Sequence, residues 1–194
     1  YLAEFTAANM SVALDDTDKL KIFHDDAVAL GISFEPPDVN SGGYRFAPVA
    51  DDTVRYGLGA IKGTGQGAIE AIIAAREEGG PFRSIFDFCN RVDRGRINKR
   101  VVEALIKAGA FDKLHAERSQ MVASIALAFD YADTQAANAD QGGLFDFGDS
   151  HAASTQEPEL IAAEPWSIKE RLGFEKVALG FYLSGHLFEE YAPE

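Results

Sequence analysis

The run Ile61-Lys62-Gly63-Thr64-Gly65-Gln66-Gly67 sets three glycines at alternate positions directly ahead of an apolar helical stripe, Ala68, Ile69, Ile72 and Ile73. Alternating glycines permit a tight turn with positive φ, and the stripe demands a helix whose first turn starts inside them. Three phosphate-binding arrangements use such a turn. A Walker-type loop needs Gly, four residues, then Gly-Lys-Ser/Thr, and the chain has none. A dinucleotide fingerprint needs two residues between its second and third glycines; Gly57, Gly59 and Gly63 leave three, and no β-α-β unit follows. The helix-hairpin-helix fits. Its Gly-x-Gly turn joins two short helices and points backbone N–H groups outward beside a helix N-terminus, where they and the helix dipole hold a DNA phosphate without reading bases. Ala71 and Arg76 continue the pattern. Thr64 stands where an aliphatic residue is usual and Lys62 where proline is frequent, which weakens the apolar anchor of the turn and leaves the amide geometry possible. The simpler alternative is a tight turn that binds nothing.

Charge gives this region a partner class. The formal net charge is −13, yet it divides as −6 over residues 1–60, +3 over 61–120 and −10 over 121–194. The densest cationic stretch is Arg91, Arg94, Arg96, Lys99 and Arg100, against the single acid Asp93. It reads either as a solvated face or as an anion-binding strip. The acidic total argues against strong indiscriminate DNA affinity, which phosphate neutralisation drives. A turn-then-helix from Arg91 to Leu105, with Asn98 as N-cap and Lys99 and Arg100 in the first turn, reads as a second, degenerate hairpin without Gly-x-Gly.

The remaining pattern is mostly helical. Leu2, Phe5, Ala8 and Val12 keep a helical spacing over residues 1–13. Asp15, Asp16 and Asp18 imitate a metal-binding trio but sit just before a second helical pattern (Leu20, Phe23, Val28, Leu30), where acids cap N-termini. Gly31 ends that helix, and residues 35–43 are turn chemistry. Tyr44–Val49 and Thr53–Leu58 predict a β-hairpin. A helix after Gly67 stops at Gly79-Gly80-Pro81, and a short one follows among Phe82, Ile85, Phe86 and Phe88. The next carries Val101, Val102, Leu105 and Ile106 and ends at Gly109. Residues 116–138 predict one long helix, residues 138–165 loss of order, and the piece after Trp166 a return to packing.

Composition excludes several classes. Hydrophobic content of 46% and charged content of 25% suit a folded domain, or two small ones, in 194 residues. A single cysteine, Cys89, excludes an internal disulfide and a multi-thiolate metal site, and its apolar neighbours make it a small core residue. No apolar run approaches the ~20 residues of a membrane span. A chain that opens on Tyr1 without a signal segment reads as a cytoplasmic section of a longer protein. His24, His115, His151 and His186 show no ligand spacing; His24 reads as structural.

Six stretches, in order, carry a resemblance over nearly the whole chain: Tyr1-Leu-Ala-Glu-Phe5 with Ala8-Asn-Met-Ser11; Pro36-Pro-Asp-Val-Asn-Ser41; Tyr56-Gly-Leu-Gly-Ala-Ile-Lys-Gly63; Phe82-Arg-Ser-Ile-Phe-Asp-Phe-Cys89; Asn98-Lys-Arg-Val101 with Ile106-Lys-Ala-Gly-Ala-Phe-Asp112; and Leu179-Gly-Phe-Tyr-Leu-Ser-Gly-His186. Together they resemble the family C replicative polymerases of bacteria, the alpha subunits of DNA polymerase III. The resemblance implies a map. Residues 1–50 would end the fingers domain. Residues 51–118 would be the tandem helix-hairpin-helix region that grips duplex DNA. Residues 119–147 would be a helix leading to the sliding-clamp contact, 148–165 a flexible acidic linker, and 166–194 the lead-in to an oligonucleotide-binding fold. The expected fold class is mainly α with a small β hairpin. The palm carboxylates and their two magnesium ions would lie upstream, so this section would hold no catalytic residue, metal or cofactor. The family pattern has proline where this chain has Leu187.

On this map the DNA contacts are the amides of Gly63, Thr64, Gly65 and Gly67, the cations Lys62, Arg96, Lys99 and Arg100, and Asn98. Gln141-Gly142-Gly143-Leu144-Phe145 resembles the family's clamp-binding peptide, Gln-x-x-Leu/Met-Phe. Leu144 and Phe145 would anchor in the clamp's pocket, Gln141 would bond at its rim, and Phe147 would add a contact. Gly142 and Gly143 raise the entropy lost on docking, which implies modest affinity. The alternative is that Leu144 and Phe145 pack on this protein's own core. Expected partners are duplex DNA, the sliding clamp and the other subunits of the polymerase III holoenzyme, with no membrane. Two rivals remain: a protein-interaction scaffold whose glycine hairpin is only structural, and an independent hydrolase using Asp15 and Asp16.

Overall fold

The computed structural model describes residues 1–142 and 156–185, with side chains to residue 139 in the first stretch. The described chain is mainly helical with one small sheet, as the sequence predicts.

Helix α1 (Leu2–Val12) is built on a different face from the expected one. Ala3, Thr6, Ala7 and Met10 are buried, whereas Phe5 and Val12 are 67% and 89% exposed. Small side chains let α1 approach its neighbours closely, and that proximity outweighs the larger apolar stripe. Helix α2 (Thr17–Ala29) begins at Asp16, whose carboxylate accepts from the Lys19 N–H at 3.1 Å, so this acid is a cap. Backbone and side-chain bonds to Lys19 hold its pKa below the usual carboxylate range. Gly31, at φ +91°, turns the chain out of α2.

Strand β1 (Ser33–Glu35) was not expected. It pairs in parallel with β3 (Thr53–Arg55), which also pairs antiparallel with β2 (Ala47–Ala50), giving the order β1-β3-β2. The predicted hairpin is present with shorter strands and a register irregularity between Pro48 and Ala50. A 3-10 turn (Leu58–Ala60) leads to the glycines and α3 (Gln66–Gly79). Then come α4 (Ile85–Arg91), capped by Ser84, and α5 (Lys99–Lys107), capped by Asn98.

The loop carrying Pro36-Pro-Asp-Val-Asn-Ser41 is a structural clasp. The Asn40 side chain donates to Phe82 O at 2.9 Å and accepts from Phe82 N–H at 2.7 Å. Asp38 accepts from the Asn40 N–H, the Ser41 hydroxyl and the Lys113 ammonium at 2.8–2.9 Å. Burial pushes the Asp38 pKa up, but these donors outweigh it and hold the carboxyl below its ordinary value.

The predicted single helix over 116–138 is two, α6 (Arg118–Ala123) and α7 (Ile125–Gly142). The break is at Ser124, whose hydroxyl donates to Gln120 O at 2.7 Å alongside its own N–H, which is shared between Gln120 O and Met121 O at 3.0 and 3.1 Å. Helix α7 also runs four residues past Asn138, where order was expected to fail. In the second half of the expected linker, residues 156–166 form no regular element but are fastened. The Ile161 N–H donates to Ser124 Oγ at 2.8 Å and Leu160 packs against the core. Helix α8 (Ile168–Leu179) starts with a reciprocal Ser167–Glu170 capping box and ends at left-handed Gly180. Its buried Glu175 accepts from Leu183 N–H, Ser184 N–H and Ser184 Oγ at 2.5–3.0 Å, which curls residues 181–185 back onto the helix.

The core is one cluster running from Met10 and Val54 through Ile69, Phe88 and Leu105 to Leu179 and Phe181. Tyr56, Phe46, His24 and Phe181 stack across it and join the sheet, α2 and the segment after α8. Among the described residues no helix is long and apolar enough to cross a membrane.

Candidate nucleic-acid interface

The glycine turn leaves the N-terminus of α3 open. Gly63 and Gly65 take φ of +87° and +73°, and nothing lies within 4 Å of a Cβ placed on either, so both face open space. Gly65 is the N-cap of α3 and brings no capping side chain. Among the described residues, the amides of Gly63, Gly65, Gln66 and Gly67 have no acceptor. Helix α5, by contrast, carries a cap: Asn98 Oδ1 accepts from Val101 N–H at 3.0 Å. The first turn of α3 therefore offers an uncapped positive dipole end and a row of free donors, whereas α5 carries a side-chain cap.

Thr64 does not join that row. It is buried, its hydroxyl donates to Ile61 O at 2.8 Å, and its amide is turned onto the same carbonyl at 3.4 Å. The hydroxyl thus replaces the aliphatic anchor whose loss was expected to weaken the turn, and Gln66 takes Thr64's place among the open amides. The Lys62 amide is likewise engaged, donating to Ala178 O on α8 at 2.9 Å, while its side chain is exposed. Asn98 is exposed, but its carbonyl oxygen is committed to the cap.

The cationic strip separates into two sets. Arg91 is structural: it donates to Ala75 O at 2.8 Å, Gly80 O at 2.6 Å and Asp87 at 3.1 Å, and lies over the Phe82 ring. Arg94 is tied to α7 through Phe129 O and Asp133, both at 3.1 Å. Arg96, Lys99 and Arg100 are exposed and form no ion pair among the described residues. The Arg96 guanidinium overhangs the first turn of α3, 3.3 Å from where a Cβ on Gly67 would sit. Arg100 shares a groove with Lys62 and Gly63. Arg96 thus lies beside the last glycine of the row and Lys62 and Arg100 beside the first, while Lys99 borders neither place. Asp93 organises the second turn in place of glycine, accepting from Gly95 N–H at 2.8 Å through its side chain and from Arg96 N–H at 3.0 Å through its carbonyl.

The remaining polar candidates fall into place as structure. His24 packs between Phe34 and Phe181 with ring centroids 4.6 and 4.7 Å away, and burial lowers its pKa despite the opposing effect of Asp25. His115 bonds Gln120 at 3.2 Å. Burial pushes the Cys89 thiol up to about 12, which suits a core residue. No group of three His, Cys, Asp or Glu among the described residues could hold a metal ion. Gln141 lies in the last turn of α7; Leu144, Phe145, Phe147, His151, His186 and Leu187 fall outside the described residues. Sequence reasoning did not find Lys107 or the α8 side chains Phe174 and Val177, which border the same groove as Lys62. They are brought there by packing between distant elements, for which no local pattern exists.

Comparison with known proteins agrees with this geometry. Residues 31–121 match the helix-hairpin-helix motif family. The chain is 53% identical over 194 residues to the DNA polymerase III subunit alpha of Neisseria meningitidis serogroup B. It is 42% identical over 199 aligned residues to those of Vibrio cholerae and Escherichia coli K12. Each comparison covers the whole chain but only 17% of the relative, so the chain spans about one sixth of the length of the proteins it matches. By similarity over its whole length to a section of these proteins, together with its helix-hairpin-helix motif, the chain belongs to the DNA polymerase III alpha subunit family.

Proposed function

We propose that this section holds duplex DNA by its sugar-phosphate backbone, without reading sequence, while the polymerase of which it is part extends a strand. The observation that carries the reading is the uncapped N-terminus of α3, with free amides at Gly63, Gly65, Gln66 and Gly67 between Lys62 and Arg100 on one side and Arg96 on the other. Amides and a helix dipole favour an anion there, and the cations add a counterion-release component to the affinity. No base-reading element is needed. The reaction served is phosphodiester formation, with its two magnesium ions held in a palm domain outside this chain.

The same reading assigns Gln141, Leu144 and Phe145 to the sliding clamp. What supports it is the match of the five residues to a clamp-binding peptide, the first of which, Gln141, lies in the last turn of the 18-residue helix α7. A cytoplasmic replisome, with the other holoenzyme subunits as neighbours, is the setting this implies.

Fluorescence anisotropy with labelled duplexes of unrelated sequence tests the DNA contact. Affinity should be equal across sequences and fall steeply with salt. Absence of salt-dependent binding would favour the scaffold. Clamp binding is tested by pull-down with the cognate clamp beside the Leu144→Ala/Phe145→Ala double variant, which should lose it; equal capture by both proteins would reject the tether. Magnesium-dependent nucleotide hydrolysis lost on changing Asp15 or Asp16 would overturn both assignments.

A further inference from the structure

Beside the glycine turn lies a groove of about 350 Å³ between the hairpin, α5 and α8. Its floor is apolar: Ala104 from α5, and Phe174, Val177 and Ala178 from α8. Val177 is 71% exposed there. Its rim is cationic, formed by Lys62, Arg100 and Lys107, with Glu103 as the one acid. That acid is already taken, because Lys107 bonds it at 2.5 Å while lying 4.5 Å from the Phe174 ring centroid. The charge left facing the groove is that of Lys62 and Arg100. The groove is coupled to the turn, since the Lys62 amide is fixed to Ala178 O and the open Gly63 backbone forms part of the wall.

We infer that this groove seats a deoxyribose of the bound strand, next to the phosphate held on the glycine amides, so that α8 is part of the duplex-binding surface. The inference rests on the phosphate-binding reading of the hairpin and extends it to a segment the helix-hairpin-helix match, ending at residue 121, does not include. The occupant follows from complementarity. An apolar floor under two unpaired cations fits a ligand with an apolar face and an adjacent anion, repeated along a chain. The deoxyribose-phosphate backbone has that chemistry. The floor side chains offer no donor or acceptor to a base edge, so this contact adds affinity without sequence preference.

The test exploits the buried state of Cys89, the chain's single cysteine. Val177→Cys adds an accessible thiol at the groove, and Val12→Cys adds one on the 89% exposed face of α1 as a control. Each variant is incubated with a DNA duplex carrying a disulfide-activated thiol tether on its backbone. Val177→Cys should form the protein–DNA disulfide at least tenfold more than Val12→Cys, and salt that releases the duplex should abolish the difference. Duplex binding by the unmodified protein, with equal cross-linking at positions 177 and 12, would overturn the groove assignment and leave the hairpin reading intact. No salt-dependent duplex binding by the unmodified protein would overturn both.

Discussion

The guanidinium of Arg118 closes on the carboxylate of Asp112 through two parallel hydrogen bonds, Nε to Oδ1 at 2.7 Å and Nη2 to Oδ2 at 2.6 Å. Its remaining nitrogen, Nη1, donates to Lys107 O at the end of α5 at 3.1 Å. One buried cation thereby ties the end of α5 to the start of α6. The fork shape matters as much as the charge, because three acceptors are met in one plane.

Arg118→Ala should therefore cost about 2–4 kcal/mol, since it leaves Asp112 and a helix-end carbonyl without their donor. Arg118→Lys, which keeps the charge and loses the fork, should recover less than half of that. Urea unfolding checks both through the midpoint; an Arg118→Lys midpoint equal to the parent's would show that charge alone suffices.

The glycine turn separates folding from binding. Gly65→Ala forces a Cβ onto backbone at φ 73° and ψ 150°, a region that glycine nearly monopolises, with no atom opposing it, so the cost is torsional, about 1–3 kcal/mol. Gly67→Ala, already in α3, should leave stability within about 0.5 kcal/mol, as mild substitutions do. It should nonetheless lower duplex affinity several-fold, because its methyl meets the Arg96 guanidinium and covers an amide. Thermal melts and duplex titrations of the two variants decide this; unchanged affinity in Gly67→Ala would remove that amide from the interface.

Charge variants should sort the arginines by role. Lys62→Ala, Arg96→Ala and Arg100→Ala should each reduce the slope of log K against log salt by about 1, if each neutralises one phosphate. Arg91→Ala should leave the slope unchanged and lower the melting temperature, because its guanidinium holds the carbonyls of Ala75, Gly80 and Pro81 rather than facing solvent. A reduced slope in Arg91→Ala would place that residue on the DNA after all.

Local chemistry was readable in the sequence, and the orientation of elements was not. Caps at Asp16 and Asn98, the glycine turn, the β2–β3 hairpin and the order of the helices all follow from neighbours within a few residues. Strand β1 is three residues long, precedes two prolines and pairs with residues 53–55, so its sequence reads as a turn. The buried face of α1 depends on how closely the rest of the fold can approach, and there Ala3, Ala7 and Met10 outrank Phe5 and Val12. At the site the same division holds. Thr64 was legible as a departure from pattern, but its inward hydroxyl bond depends on where Ile61 O points. Arg91 and Arg100 look alike in sequence; packing against α3 makes one an internal clamp and leaves the other facing the groove.

His24 gives the fold a predictable response to acid. Burial between Phe34 and Phe181 disfavours the imidazolium, and the Asp25 carboxylate only partly offsets this, so the folded-state pKa lies below the ordinary histidine value. The unfolded chain takes up a proton near pH ~6.5. Between that value and the lower folded pKa, the unfolded state binds more protons, so stability is complete above pH ~6.5 and declines as pH falls through this window. His24→Phe keeps an aromatic ring between Phe34 and Phe181 and removes the titration. Urea unfolding at intervals from pH 7.5 to 5 should show a downward slope in the parent that is flattened in His24→Phe, and equal slopes would show that His24 stays accessible to protons in the folded state.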